Sequence, residues 1–127
     1  MSMKKLLTGA AVLAAAAIAV PAMSRPTLSP PIIEVVTLKL KPEVTPEQFS
    51  KVDREVQDQY IAKRSGFLSR ESAPGSNHDW LVIVHWRSVA DAEASMKSYA
   101  TAPASTKFMS MIVPNSMVMT RYSRTNL

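Results

Sequence analysis

The sequence contains no cysteine. A disulfide framework and a thiolate metal site are both excluded, although an oxidising compartment would permit disulfides. Glycine is nearly as scarce, with three in 127 residues. None of the three opens a phosphate-cradling loop or a nucleophile elbow. Histidine occurs only at His78 and His85, so no metal-spaced histidine cluster exists and no imidazole follows position 85. Aromatic residues make up 6% of the chain. Its basic residues (Lys39, Lys51, Arg70, Arg87, Lys107, Arg121) are spread out, unlike the clustered, aromatic-interleaved stripe of a nucleic-acid binder. The run Leu6–Val20 is apolar over about 15 residues, short of the roughly 20 that span a bilayer.

That run has the layout of an export signal. Lys4 and Lys5 precede it, and Val20-Pro21-Ala22 supplies a small-residue cleavage site. No cysteine follows, so lipoprotein processing is excluded. The expectation is a signal peptide over 1–22 and a periplasmic or secreted chain starting at Met23, with no membrane contact after cleavage. A retained N-terminal anchor or a buried helix is the competing reading. Removing 22 of 127 residues leaves 105, which is one small domain. Losing Lys4 and Lys5 lowers the net charge from +5 to +3, a mildly basic, soluble balance. A domain of this size without staples buries a limited core, so a homodimer is expected.

A Pro-rich leader, residues 23–31, comes first, with Pro26, Pro30 and Pro31. Ile32–Leu40 reads as a strand, β-branched and apolar nearly throughout. Thr45, Pro46 and Gln48 form a capping box with proline at the first helical position. Phe49, Val52, Val56 and Tyr60 follow at helical spacing, with Glu47, Lys51, Arg54, Glu55 and Asp58 on a solvated face. Gly66 is the expected stop, Phe67–Ala73 a second strand and Pro74-Gly75-Ser76-Asn77 a hairpin turn. Trp80–Trp86 is a third strand, with Trp80, Val82, Val84 and Trp86 on one face and Leu81, Ile83 and His85 on the other. Both faces are apolar. Helices cover one, and a partner subunit's sheet is the simplest cover for the other. Ser88 caps a helix over Val89–Tyr99, with Val89, Ala92, Met96 and Tyr99 expected inward. Pro103 breaks it, a short helix over Ser105–Ile112 follows, and Ser116–Tyr122 is the last strand; 123–127 is a tail. This order is β-α-β-β-α-β, the ferredoxin-like α+β plan.

The phrases VVTLKLKPEVTPEQF, SGFLSRES, WLVIVHWRSVADAEAS and KFMSMIVPNSMVM resemble the antibiotic-biosynthesis-monooxygenase-like (ABM) branch of the dimeric α+β barrel superfamily, across Ile32–Tyr122. The resemblance implies two ferredoxin-like sheets paired into one barrel, with a small apolar or aromatic ligand in a cavity lined by sheet and helix. Its members include cofactor-free oxygenases, haem degraders and lactone isomerases, and the fold does not choose among them. The haem-degrading pattern of Asn, helix Trp and His falls on Val36, Ser95 and near Ser105, and none matches. No axial imidazole is available on the second helix, and no cofactor is expected.

Candidate site residues follow from chemistry. His85 lies on an apolar strand beside Trp86; it is a general acid or base if its face lines a chamber, and otherwise an imidazole satisfied by one hydrogen bond. Glu34 is a carboxylate inside an apolar strand, costly to bury alone. It either faces water at the strand's frayed start or pairs with an arginine such as Arg70. A Glu34–His85 pair would make a proton-transfer couple, but strand parity does not bring them together. Trp80, Trp86, Tyr60 and Tyr99 are candidates to wall a pocket for a planar ligand, with a tyrosine hydroxyl donating to a developing oxyanion. Met109, Met111, Met117 and Met119 hint at soft-metal ligation, but residues two apart on a helix point apart, and adaptable packing is the better account. The expected function is binding of a small apolar or aromatic molecule, with cofactor-independent monooxygenation or isomerisation. The alternative is a non-catalytic binding or stress module.

Overall fold

A computed structural model describes residues 30–126. The expected signal peptide and most of the Pro-rich leader lie outside the described residues. Strand β1 spans Ile32–Lys39, helix α1 Pro46–Gln59, strand β2 Phe67–Pro74, strand β3 Asp79–Trp86, helix α2 Val89–Tyr99, helix α3 Pro103–Ser110 and strand β4 Val118–Ser123. The strands form one antiparallel sheet in the order β2-β3-β1-β4, with β3 and β1 at the centre and β2 and β4 at the edges. This is the ferredoxin-like arrangement expected from the element order, with α3 inserted before the last strand.

The helix starts follow from local chemistry. The Thr45 hydroxyl accepts from the Gln48 amide at 3.1 Å, and the Gln48 side chain accepts from the Thr45 amide at 3.0 Å. Pro46 sits in the first turn, where its missing N–H leaves no bond unmade. Ser88 caps α2 by accepting from the Asp91 amide. Pro103 does more than end α2, because it opens α3 at its first position. Helix α1 stops at Gln59, and a 3-10 turn over Ile61–Lys63 carries the chain to Gly66. Gly66 has φ +79°, and a Cβ there would fall 2.1 Å from the Asp91 carboxylate. Only glycine fits at this point.

The core lies between the helices and one face of the sheet. Phe49 is fully enclosed, with its ring 5.0 Å from Trp80 edge-on and 4.8 Å from Phe108. Leu40, one residue past β1, bridges to Ile112 after α3 and closes that end. The α2 face matches expectation in part. Ala92 is buried and Tyr99 packs against the core as expected, but Ser95 is also buried, whereas Val89 and Met96 are exposed. The helix approaches the sheet closely through small side chains, and the larger apolar ones sit at its flanks. The other sheet face carries Ile33, Val35, Leu81, Ile83 and His85, half-buried, with Tyr122 and Val118 exposed. No helix among the described residues is long and apolar enough to cross a membrane.

Candidate functional site: a charged rung beneath an apolar cavity

Strand register places four residues in one line across the sheet. Arg70 on β2 stands opposite Val84 on β3, Val84 opposite Glu34 on β1, and Glu34 opposite Arg121 on β4. All four lie on the face that carries the helices, because buried Val84 and Glu34 share it with Trp80, Val82 and Trp86. Two charges of each kind are held here, since Asp53 descends from α1 onto Arg70. Asp53 Oδ1 accepts from Arg70 Nη2 at 2.5 Å, and Oδ2 accepts from Nη1 at 3.2 Å and from the Ser72 hydroxyl at 2.5 Å. Gln57 Oε1, one turn further along α1, accepts from the same Nη1 at 3.4 Å. At the other end, Glu34 Oε2 accepts from Arg121 Nε at 2.8 Å, and Oε1 accepts from Trp86 Nε1 at 3.3 Å. The Arg70–Asp53 pair is nearly dry, with side chains 3% and 6% exposed, whereas Glu34 at 7% is paired with a partly exposed Arg121 at 24%.

Above Val84, between the rung and the helices, lies a cavity of ≈ 60 Å³. Its walls are mainly aliphatic and aromatic, from Val56 on α1, Ala92 and Met96 on α2 and Phe108 on α3. Glu34, Arg70, Ser95 and Tyr99 supply its polar atoms. Burial pushes the Tyr99 hydroxyl above its ordinary value; the Arg70 guanidinium pulls it down, while Asp53 and Tyr60 add to the rise. Near neutral pH this group keeps its proton, on a residue that lines the cavity. An apolar cavity with a carboxylate, a guanidinium and a phenol at its base can take up a small molecule, remove a proton from it and stabilise the oxygen that becomes negative.

The residues expected from sequence separate into distinct places. Glu34, Arg70 and Tyr99 line the cavity. Glu34 is buried and its arginine is Arg121, whereas Arg70 belongs to Asp53. Trp86 stands behind Glu34 as a hydrogen-bond donor, edge-on to Phe67. Tyr60 gives its hydroxyl to the Ser95 carbonyl at 2.6 Å, beside Ser98, and its ring lies under the Arg64 guanidinium at 4.7 Å. Trp80 packs in the core against Phe49, and its Nε1 is buried with no partner among the described residues. His85 is on the opposite face of the sheet, between Ile33 and Ser69 in register. Within one subunit, Glu34 and His85 therefore do not meet. Met117 lines the cavity, whereas Met109 is exposed on α3. Asp53 and Arg121, the two counter-ions, were missed by sequence reasoning. The available signal was a charge at helical spacing with the core-facing Phe49 and Val56: Asp53 is four residues after one and three before the other.

The fold is that of antibiotic-biosynthesis-monooxygenase-like α+β proteins. SnoaB, a cofactor-independent oxygenase from Streptomyces nogalater, matches with a TM-score of 0.63 at 11% identity, over 78% of this chain and 97% of its own. A candidate antibiotic biosynthesis monooxygenase from Caulobacter crescentus CB15 matches with a TM-score of 0.64 at 16% identity, over 78% of this chain and 93% of its own. A second such candidate, from Nitrosomonas europaea, gives 0.60 at 12% identity, over 77% and 93%. At these identities the likeness is one of fold. No family model and no curated protein matches the chain in sequence.

Proposed function

We propose that the cavity above Val84 binds a small, mainly apolar or aromatic molecule and that the chain acts on it as a cofactor-independent monooxygenase or isomerase. The observation that carries this reading is the convergence of Glu34, Arg70 and Tyr99 on one apolar space. Glu34 is the group to accept a proton from a position of the substrate acidified by conjugation with a carbonyl. Tyr99 and Arg70 are placed to hold the oxygen that then becomes negative. The anion so formed reacts with dioxygen or is reprotonated at another position, and neither path needs a cofactor. The shared fold with a cofactor-independent oxygenase supports the same class. His85 acts only if a second copy closes a chamber over the other sheet face. The apolar residues there (Ile33, Val35, Leu81, Ile83) favour such a homodimer, and residues 1–22 favour export to the periplasm or beyond.

Oxygen uptake and product formation with a quinol-type substrate, measured alongside binding, test the reading in wild type, Glu34→Gln and His85→Ala. The expected result is turnover lost in Glu34→Gln with binding retained, and turnover kept in His85→Ala. Loss in His85→Ala alone would move the chemistry to the other face. Binding without turnover in the wild type would make the chain a non-catalytic binder. Light scattering at micromolar concentration tests the dimer, and N-terminal sequencing of periplasmic material tests cleavage before Met23.

A further inference from the structure

Hydrogen-bond capacity in the rung is not exhausted by its two ion pairs. A guanidinium carries five N–H donors. Arg70 spends two on Asp53 and one on Gln57, which leaves two of the five for the cavity it lines. A carboxylate has about four acceptor sites. Glu34 uses one for Trp86 and one for Arg121, which leaves about two on a residue that lines the cavity. The spare donors and spare acceptors belong to β2 and β1, the strands on either side of β3, so the two Cα positions stand about 10 Å apart across two strand spacings. In register, the residue between them is Val84.

We propose that Arg70 and Glu34 read opposite ends of one ring, so that the site selects a monocyclic aromatic with a hydrogen-bond acceptor at one end and an O–H or N–H donor at the other. The inference rests on the ligand-binding reading of this cavity. The ring lies over Val84. Its acceptor end meets the free N–H groups of Arg70, next to the Tyr99 hydroxyl, and its donor end meets Glu34. Asp53 and Arg121 are positioning residues: Asp53 fixes Arg70 with two hydrogen bonds, Arg121 fixes Glu34 with one, and each compensates its partner's charge, so the ligand need bring none. Size is limited by the same geometry. The cavity is ≈ 60 Å³, below the roughly 150 Å³ that an engineered apolar cavity offers to benzene. One ring enters only as the flexible Met96 and Met117 side chains yield, and a fused three-ring system does not.

Four probes separate this proposal from the reading beneath it: p-xylene, 1,4-dimethoxybenzene, 4-methoxyphenol and anthrone. Binding is followed by calorimetry and by the NMR signal of the Trp86 indole N–H, which reports directly on Glu34. The expected order is 4-methoxyphenol roughly tenfold or more tighter than 1,4-dimethoxybenzene, because only the former donates to the carboxylate. Its binding should also shift the Trp86 signal, and anthrone should not bind. A double variant, Glu34→Met with Arg121→Met, removes that pair together, an exchange that buried ion pairs often tolerate. In it the preference for 4-methoxyphenol should vanish while p-xylene still binds. Equal affinity for the three single-ring probes in the wild type, or anthrone binding as tightly as they do, would overturn the proposal and leave the cavity's ligand-binding role intact. Failure of every probe to bind would overturn both.

Discussion

Replacing Asp53 by alanine leaves the Arg70 guanidinium in place without its counter-ion. Both side chains are almost entirely out of water, at 3% and 6% exposure, so solvent cannot take over the carboxylate's role. Three hydrogen bonds disappear: two from Arg70 and one from the Ser72 hydroxyl. Removing one partner of such a buried pair costs about 3–5 kcal/mol, whereas an exposed pair is worth about 0.2–1 kcal/mol. A domain of this size has about 5–15 kcal/mol in total, so the variant should remain folded but lose a large share of its stability. Urea unfolding at unchanged m-value is the assay. The double variant Asp53→Leu with Arg70→Met should recover to within about 1 kcal/mol of wild type, because no charge is then left unpaired. A single-variant loss below ~1 kcal/mol would refute the reasoning. A double variant as unstable as the single one would assign the loss to packing at α1 and not to the stranded charge.

Three further outcomes follow from the same structure. Burial raises the Tyr99 hydroxyl above its ordinary 10.0, so the unfolded chain gives up this proton first and the folded state loses stability as pH climbs above that value, by about 1.4 kcal/mol per pH unit; below it the group contributes no pH dependence. Tyr99→Phe removes that part of the slope, and parallel wild-type and variant stability curves above pH ~10 would contradict it. Gly66→Ala places a Cβ on the Asp91 carboxylate at a positive φ and should cost about 1–3 kcal/mol in thermal unfolding, with a wild-type melting temperature as the opposing result. Phe49→Ala empties the centre of the core between Trp80 and Phe108 and should cost about 3–5 kcal/mol by denaturant titration; a loss under ~1 kcal/mol would mean the neighbouring rings collapse into the space.

Elements with strong local chemistry were legible in the sequence, and partnerships between distant residues were not. Thr45, Pro46 and Gln48 announce the start of α1 within four residues, and the parity of Trp80, Val82, Val84 and Trp86 assigns a face without reference to any other strand. The inward side of α2 was misjudged because hydrophobicity placed Val89 and Met96 there. Close approach to the sheet instead favours small side chains, and Ser95 joins the expected Ala92 there. Asp53 reads as one more charge on a charged helix, and its burial becomes visible only when β2 brings Arg70 beneath it. Arg121 lies 87 residues from Glu34, a separation over which no local pattern carries information. The cavity has the same origin: its polar residues come from two strands and one helix, and only the sheet order β2-β3-β1-β4 collects them.

The charged rung also checks the assembly of the sheet. If β4 slips one residue against β1, Arg121 turns to the opposite face, and Thr120 or Tyr122 takes its place across from Glu34. A slip of two brings Met119 or Ser123 there instead. Every such error strands a buried carboxylate without a cation, at a cost of several kcal/mol, while a purely aliphatic sheet would tolerate many of the same slips. The contact that fixes the alignment is made by the last strand of the sheet in chain order with the first. Until β4 docks, Glu34 has no arginine, and the cavity lacks its finished carboxylate. Correct alignment and a competent binding site therefore arise in one event, and a chain cut short before Val118 should have neither.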